Sequence, residues 1–390
     1  MKRTYEEINS KIMKGEAVVL TAEEAIALVE EEGIERATRE VDVVTTGTFG
    51  AMCSSGAFLN FGHSEPPIKI QKAWLNDVPA YSGLAAVDAY IGATELREDG
   101  RLDYGGAQVI EQLVAGEPVK LRATAYGTDC YPLKEIETYI SLKTVNQAFL
   151  FNPRNCYQNY AVATNSSDDT LYTYMGKLLP ENGNATYSSA GQLSPLLKDP
   201  TLRTIGIGTR IFLGGAQGYV GWEGTQFKTN VPVENGVPAT AARTLSVIGN
   251  LKEMSPEYLS ALYFQDYGTS LAVGIGVPIP VLDEDVLRAA TLPDEKIFAP
   301  VLDYAEQSRS RKPVRLVNYA ELRSGEIDIN GKRVRTSSLS SYRKARAIAQ
   351  GLMTWIAEGD FLLTEPVARL PEEQEMKPFE IRTEQEVRAL

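Results

Sequence analysis

The sequence predicts an α/β or α+β protein, with a mixed sheet core and flanking helices in one large domain or two tightly joined lobes. Three observations favour this class: helical patterns with capping signals, runs of β-branched residues, and strand and helix patterns that follow each other over 244–291. The chain has 390 residues, of which 43% are hydrophobic, so it can bury a substantial core.

The best helical signal lies near the start of the chain. Thr21 and Glu24 form the pattern of a capping box, an apolar face follows, and Gly33 ends the helix. Helical spacing of apolar residues predicts the other helices, at 5–13, 107–114, 256–264, 283–291 and after Ser340 or Ser341. The small, apolar stretch 83–92 is also compatible with a helix.

Strands are indicated by β-branched or alternating runs. The run 41–46 leads into a turn of small residues at 47–56, a position where α/β enzymes tend to place chemistry. Asn330-Gly331 is the turn of a predicted hairpin. Further strands are predicted at 119–126, 136–145, 148–151, 205–208, 211–213, 244–249 and 270–277.

Charge and hydropathy restrict the partners. The net charge is −12 and the pI is near 4.9, so the chain repels phosphate backbones and nucleic acid is not an expected partner. Solubility is the simplest explanation of this charge. No window approaches eighteen consecutive apolar residues, and no apolar segment follows the first residues, so we expect neither a membrane span nor a secretory signal. The expected location is therefore the cytoplasm.

Cysteine and histidine counts limit the chemistry. The chain has three cysteines and one histidine, His63. An odd number without a C-x-x-C pair does not suggest a disulfide framework in a cytoplasmic chain. A structural zinc site needs four nitrogen or sulfur ligands at short spacing, and the four candidates here are scattered over about a hundred residues. We therefore expect no metal site.

Cys53 and Cys130 each follow a predicted strand, within a turn of small and polar residues. The thiolate is the nucleophile, and a free thiol with a pKa of about 8.5 is only a few per cent ionised at neutral pH. A helix N-terminus lowers that pKa by less than about one unit, so a nearby cation is also needed. Lys134 and Arg154 are candidates by proximity in sequence. A buried, inert thiol is the alternative, and the stronger one for Cys156.

A glycine-rich run over 206–224 could hold an anion with its backbone N–H groups. It matches neither a dinucleotide-binding fingerprint nor a Walker A sequence, so close backbone packing explains it equally well. Arg210 lies in this run and is a candidate to hold a substrate carboxylate, although a structural ion pair is the commoner role. His63 lies in a loop, and a single histidine is usually structural.

Several stretches, taken together, resemble a known family. They are Thr46 to Ala57 around Cys53, Tyr126 to Pro132 around Cys130, Gly206 to Gly221, Thr336 to Ser341 and Phe361 to Pro366. The family is the homocysteine-biosynthesis sulfur-incorporation family, the L-aspartate semialdehyde sulfurtransferases of anaerobes. The resemblance covers nearly the whole chain.

The resemblance implies that Cys130 carries sulfide-derived sulfur as a persulfide and that Cys53 is a second essential thiol. The persulfide would attack the aldehyde of aspartate semialdehyde, Cys53 would accept the leaving bond as a disulfide, and two external electrons would complete homocysteine. We therefore expect both thiols to line one pocket. The expected substrate-binding residues are Ser54, Ser55, His63, Arg210, Gly214, Gly215 and Gln217.

The resemblance also sets expectations for cofactors and partners. No bound cofactor is expected, and an external reductant is required. The family is commonly teamed with a small ferredoxin-like iron–sulfur protein, and this chain has no cluster-binding cysteine set of its own. The sequence does not fix the oligomeric state, and a homo-oligomer is compatible with it.

The expected organisation is a sulfur-incorporation domain over 1–370 and an acidic tail over 371–390 without stable structure. Archaeal relatives often append paired CBS domains, and we expect none here because the chain leaves no room for them. Two alternatives stay open. One is a thiol redox protein with Cys53 and Cys130 as peroxidatic and resolving residues. The other is a small-molecule or anion-binding module built on the glycine-rich run, with inert cysteines.

Overall fold

The computed structural model describes residues 2–308 and 311–388. The helices of this part of the chain are α1 (Tyr5–Lys14), α2 (Ala22–Glu32), α3 (Ile34–Glu40), α4 (Gly106–Val114), α5 (Pro195–Lys198), α6 (Glu284–Ala290), α7 (Tyr319–Arg323), α8 (Tyr342–Ala357) and α9 (Glu384–Arg388). Short 3₁₀ turns lie at Gly191–Leu193, Leu251–Glu253 and Asp294–Lys296.

The strands are short and follow each other closely along the chain. They are β1 (Val19–Thr21), β2 (Val43–Thr45), β3 (Thr48–Ala51), β4 (Gly56–Asn60), β5 (Lys72–Leu75), β6 (Val78–Ala80), β7 (Asp88–Gly92), β8 (Val119–Thr124), β9 (Glu135–Ile140), β10 (Gln147–Asn155), β11 (Val162–Thr164), β12 (Leu171–Thr173), β13 (Gly176–Leu178), β14 (Asn184–Tyr187), β15 (Gly206–Ile207), β16 (Arg210–Leu213), β17 (Ala216–Glu223), β18 (Val233–Glu234), β19 (Val237–Pro238), β20 (Leu245–Asn250), β21 (Leu259–Phe264), β22 (Gly268–Gly276), β23 (Pro278–Pro280), β24 (Phe298–Asp303), β25 (Pro313–Asn318), β26 (Glu326–Ile329), β27 (Lys332–Ser338) and β28 (Ala368–Arg369).

Three sheets form most of the architecture. A nine-stranded sheet has the order β21-β22-β16-β17-β20-β10-β4-β7, with β3 paired to β22, and all of these pairs are antiparallel. A six-stranded sheet, β25-β24-β11-β14-β27-β26, is mixed because β11 and β24, and β14 and β27, run parallel. A four-stranded antiparallel sheet has the order β6-β5-β8-β9. The predicted class, helices packed on mixed sheets, is confirmed.

Two helices hold the sheets together. The buried face of α4 joins one apolar cluster with residues of both the nine-stranded and the four-stranded sheet, including Leu59, Ile91 and Leu121. Helix α8 packs on β3 and β22. It approaches so closely that a Cβ added at Gly47 would lie 2.1 Å from the carbonyl oxygen of Ala345, so the chain before β3 requires glycine there.

Local signals gave the correct element wherever its stabilising contacts are also local. The capping box at Thr21 and Glu24 is present, and Gly33 follows the end of α2. Asn330 and Gly331 connect β26 to β27 as predicted, and Ser341 is the N-cap of α8. Such signals are reliable because both partners of each contact lie within a few residues.

Two predicted helices are wrong. The helix predicted at 256–264 is strand β21, which pairs with β22 along its whole length. The stretch 83–92 contains strand β7, in which Ala89 and Ile91 are buried and alternate with half-buried neighbours. Short apolar runs do not distinguish helix from strand, and non-local pairing decides between them.

The end of the chain is largely exposed. Backbone and side-chain hydrogen bonds tie Gln374 to Thr229, and residues 375–388 are exposed, including the short helix α9. Residues 389–390 of the predicted tail lie outside the described residues. No helix in the described ranges is both long and apolar enough to span a bilayer.

Candidate functional site

Cys53 lies in the tight turn between β3 and β4. The backbone N–H of Ser55 donates to the Met52 carbonyl at 2.9 Å and closes the turn over Cys53 and Ser54. The Met52 N–H in turn donates to the Leu271 carbonyl of β22 at 2.7 Å. Neighbouring strands therefore fix the position of the thiol. Contrary to the α/β pattern considered from the sequence, a strand and not a helix follows this turn.

A buried hydroxyl donates a hydrogen bond to this thiol. Ser270 Oγ lies 3.4 Å from Cys53 Sγ, and Ser270 is fully buried. A hydrogen bond to sulfur favours the thiolate form. Tyr267 lies near this thiol. Burial raises the pKa of its phenol, and the negative charge of a Cys53 thiolate raises the pKa further. Tyr267 therefore keeps its proton near neutral pH and remains a hydrogen-bond donor beside Cys53.

Cys53 opens onto two cavities, of about 240 Å³ and about 610 Å³. The walls of both include Cys53, Ser54, Arg154 and Tyr267. The smaller one is aromatic, and its other lining residues are Ala51, Met52, Tyr157, Tyr160, Tyr174, Met175, Ser188, Gln226 and Leu339. The larger one is further lined by Thr94, Leu96, Pro153, Thr225, Gly268 and Thr269.

Among the described residues that line these two cavities, Arg154 is the only arginine, lysine, aspartate or glutamate. Its Nε donates to Ser54 Oγ at 3.3 Å. Its backbone N–H donates to the side-chain oxygen of Asn152 at 2.8 Å, and the amide of Asn152 donates to Ser55 Oγ at 2.9 Å. The end of β10 is thereby tied to the Cys53 turn, with Arg154 held beside the thiol.

Tyrosine hydroxyls line the smaller cavity. Tyr160 Oη donates to Tyr174 Oη at 3.3 Å, and Tyr174 Oη lies 2.9 Å from Tyr304 Oη. Burial, with the nearby Tyr174, raises the pKa of Tyr160 far above its ordinary value. The Tyr160 hydroxyl therefore stays protonated at neutral pH, and the hydroxyls of this wall can donate to a developing oxyanion.

Cys130 lies on the exposed loop that joins β8 to β9. Thr128 and Tyr131 form a tight turn around it, with backbone hydrogen bonds of 2.8 and 3.1 Å, and Thr128 Oγ1 lies 3.5 Å from Cys130 Sγ. The His63 ring packs against Tyr131 with centroids 5.9 Å apart. The side chain of Lys134 lies against Gly127 at the base of the same loop. The loop thus presents Cys130 to solvent beside the only histidine.

Cys53 precedes the first residue of β4, whereas His63, beside the Cys130 loop, follows the last residue of β4. The five residues of β4 alone span about 13 Å at about 3.3 Å per residue. Neither cavity at Cys53 includes Cys130. These two cavities are therefore not the shared pocket expected for the two thiols.

A family model described as "Homocysteine biosynthesis enzyme, sulfur-incorporation" matches residues 17–363. The chain belongs to this family. An L-aspartate semialdehyde sulfurtransferase of Methanosarcina acetivorans is 55% identical over 377 residues, which are 97% of this chain and 74% of that relative. One of Methanocaldococcus jannaschii is 54% identical over 383 residues, 94% of this chain and 73% of that relative. No solved structure matches.

In this member of the sulfur-incorporation family the glycine-rich run builds a hairpin away from Cys53. Gly214 and Gly215 have positive φ values of 62° and 93° and form the turn between β16 and β17. Arg210 lies near the rings of Tyr219 and Phe361, and Gln217 donates to the Asp360 carbonyl. None of these four predicted substrate-binding residues lines a Cys53 cavity.

The other predicted residues divide between the two thiols. Ser54 lines both Cys53 cavities, and Ser55 is buried behind the turn. His63 lies beside Cys130 instead. Cys156 is 4% exposed, and burial raises the pKa of its thiol to about 12, so it stays protonated and unreactive at neutral pH. Its environment agrees with the expected inert role.

Sequence reasoning named Arg154 only as a cation near a thiol and missed the tyrosine wall. A signal for that wall was present, because the sequence has 19 tyrosines against 11 phenylalanines, and three of the lining tyrosines fall within 157–174. Tyrosine suits a wall that is apolar but needs hydroxyl donors. Within the described ranges, no group of three or more potential ligands could hold a metal ion.

Proposed function

We propose that this chain is an L-aspartate semialdehyde sulfurtransferase, which makes L-homocysteine with sulfide-derived sulfur. The observation that carries the proposal is the Cys53 thiol, which receives a hydrogen bond from Ser270 and opens onto cavities with a cationic wall. Membership of the sulfur-incorporation family, and the names of two relatives at 54–55% identity, support the same reaction.

The sulfur is carried on Cys130. Hydrosulfide opens a disulfide between Cys53 and Cys130 and becomes the terminal sulfur of a Cys130 persulfide, leaving Cys53 as a thiolate. The terminal sulfur attacks the aldehyde carbon, and the oxygen takes up a proton. Cys53 then attacks Cys130 Sγ, which re-forms the disulfide and releases the substrate bearing sulfur and hydroxyl on one carbon.

Water and two electrons complete the balance. The released intermediate loses its oxygen as water to give a carbon–sulfur double bond. Two electrons and two protons from an external reductant convert that bond to the thiol of homocysteine. A ferredoxin-like iron–sulfur protein is the class of reductant that we propose. Tyr267 and the Tyr160–Tyr174 pair supply hydroxyl donors to the aldehyde oxygen as it becomes negative.

The transfer takes place between two copies of the chain. A disulfide needs Cα atoms roughly 4.4–6.8 Å apart, and Cys130 of the same chain lines neither cavity at Cys53. Cys130 is exposed on a loop, and the larger cavity gives Cys53 a second open side. A loop from a second chain can therefore approach Cys53 from that open side.

A reconstituted reaction tests the proposal. The purified protein, with sulfide, aspartate semialdehyde and a low-potential reductant, is expected to yield homocysteine. A thiol redox protein would consume peroxide under matched conditions and yield none, and a binding module would catalyse neither reaction. Absence of homocysteine with every reductant tried, including a reduced iron–sulfur protein, would rule the proposed function out.

A further inference from the structure

The cavities beside Cys53 are opposite in charge to the protein. The chain has 51 acidic and 39 basic residues, yet Arg154 is the one charged side chain among the described residues on either cavity wall. An arginine that has no acidic side chain beside it on a partly desolvated wall attracts small anions more strongly than a solvated surface arginine does. The electrostatics therefore favour an anionic ligand next to Cys53.

Arg154 is also positioned to bind a planar anion. Its Nε is held by Ser54 Oγ at 3.3 Å, which fixes the guanidinium plane beside the Cys53 turn. In the described part of the chain, its two terminal nitrogens have no hydrogen-bond partner and the side chain makes no ion pair. Two parallel N–H groups match the two oxygens of a carboxylate.

The smaller cavity limits the size of the ligand. At about 240 Å³ it is smaller than cavities that hold drug-sized molecules, so it suits a metabolite of a few heavy atoms. Its tyrosine rings offer aromatic faces to an ammonium group. A short amino acid that carries an aldehyde has the size and both charged groups that such a site accommodates.

We propose that Arg154 binds the carboxylate of the aldehyde substrate and thereby places the aldehyde carbon beside Cys53. This assignment rests on the proposed function for the identity of the substrate. It replaces Arg210, the arginine expected from the sequence, which lies on β16 beside aromatic rings and outside both cavities. Arg154 is the residue that distinguishes an aldehyde with a carboxylate from one without.

Alkylation of Cys53 tests the anion site without any catalysis. Iodoacetate carries a carboxylate, and iodoacetamide is its neutral analogue. The rate of Cys53 alkylation by iodoacetate is divided by its rate with iodoacetamide, and both are measured by peptide mass spectrometry. A change in the reactivity of the thiol affects both rates equally and leaves this ratio unchanged. In Arg154→Met this ratio is expected to fall about ten- to a hundredfold, the range for loss of charge-assisted hydrogen bonds.

One control variant accompanies this measurement. Arg210→Met removes an equal charge elsewhere and should leave the Cys53 ratio unchanged. An Arg154→Met ratio equal to that of the wild type would overturn the anion site.

A substrate comparison tests the carboxylate itself. Arg154→Met should lower kcat/KM for aspartate semialdehyde about a hundredfold, yet leave kcat/KM for 3-aminopropanal, which lacks the carboxylate, within about threefold. Arg154→Lys keeps the positive charge but loses the two parallel N–H groups of the guanidinium. Its kcat/KM for aspartate semialdehyde should lie between those of the wild type and Arg154→Met. Equal losses for both aldehydes would overturn the assignment in favour of a structural role. If wild type forms no homocysteine, the proposed function fails, and the alkylation ratio still decides the anion site.

Discussion

Ser270 Oγ lies 3.4 Å from Cys53 Sγ and donates a hydrogen bond to it from a fully buried position. The two residues are 217 positions apart and meet because β3 pairs with β22. Since the sulfur accepts this bond best as the thiolate, Ser270 contributes to the nucleophilicity of Cys53.

Removal of the Ser270 hydroxyl should slow the reaction of Cys53 with alkylating reagents. In Ser270→Ala, iodoacetamide should alkylate Cys53 about three- to tenfold more slowly at neutral pH, because one hydrogen bond to the anion is lost. Ser260→Ala, on the neighbouring strand β21, is the matched control and should leave the rate unchanged. An unchanged rate in Ser270→Ala would show that the hydroxyl has no influence on the thiolate.

Cys156 should be dispensable for the reaction. Burial raises the pKa of its thiol to about 12, so it is not a nucleophile at neutral pH. Cys156→Ser is therefore expected to retain most of the homocysteine-forming activity, whereas Cys130→Ala should abolish it with the fold intact by circular dichroism. Equal loss of activity in both variants would contradict the roles given to the thiols.

The buried Lys198 should make stability depend on pH. Burial lowers its pKa to about 7, although Asp294 acts in the opposite direction. Between pH 7 and the pKa of about 10.4 in the unfolded chain, the unfolded state binds more protons, so stability rises with pH. Lys198→Met should remove about 2 kcal/mol of the rise in unfolding free energy between pH 7 and pH 9. Denaturant titrations at both pH values measure the unfolding free energy of each protein. The same rise in Lys198→Met as in the wild type would contradict the lowered pKa.

Transfer between chains should allow inactive variants to complement each other. Cys53→Ser and Cys130→Ser are each expected to be inactive. In a symmetric dimer, co-expression of the two should restore up to about a quarter of wild-type activity, because a mixed dimer keeps one complete pair of thiols. The pair Cys53→Ser and Arg154→Met is the control, because both residues belong to one cavity of one chain. Absence of restored activity in the first pair would place the transfer within a single chain.

The sequence predicts those features whose partners are close along the chain. The capping box of Thr21 and Glu24 and the hairpin turn at Asn330-Gly331 are examples. Strand β21 was wrongly predicted as helix because its stabilising partner, β22, lies outside any local window. Local pattern alone was therefore sufficient for caps and turns and insufficient for sheet order.

The candidate site also depends on partners that are distant along the chain. Arg154 meets the Cys53 turn only because β10 pairs with β4, so that Phe151 lies opposite Gly56. Cys53 and Cys130 have similar local settings in sequence, yet Cys130 lines neither cavity at Cys53. Chemistry-bearing residues could be named from the sequence, but their grouping depends on sheet pairing between residues about a hundred positions apart.

The most direct test of the account follows sulfur from sulfide into product. The purified protein is incubated with sulfide labelled with a heavy sulfur isotope, aspartate semialdehyde and a reductant, and homocysteine is analysed by mass spectrometry. We expect labelled homocysteine from wild type, a labelled persulfide on Cys130, and no labelled product from Cys53→Ser or Cys130→Ser. Unlabelled product, or labelled product formed equally well by both variants, would contradict it.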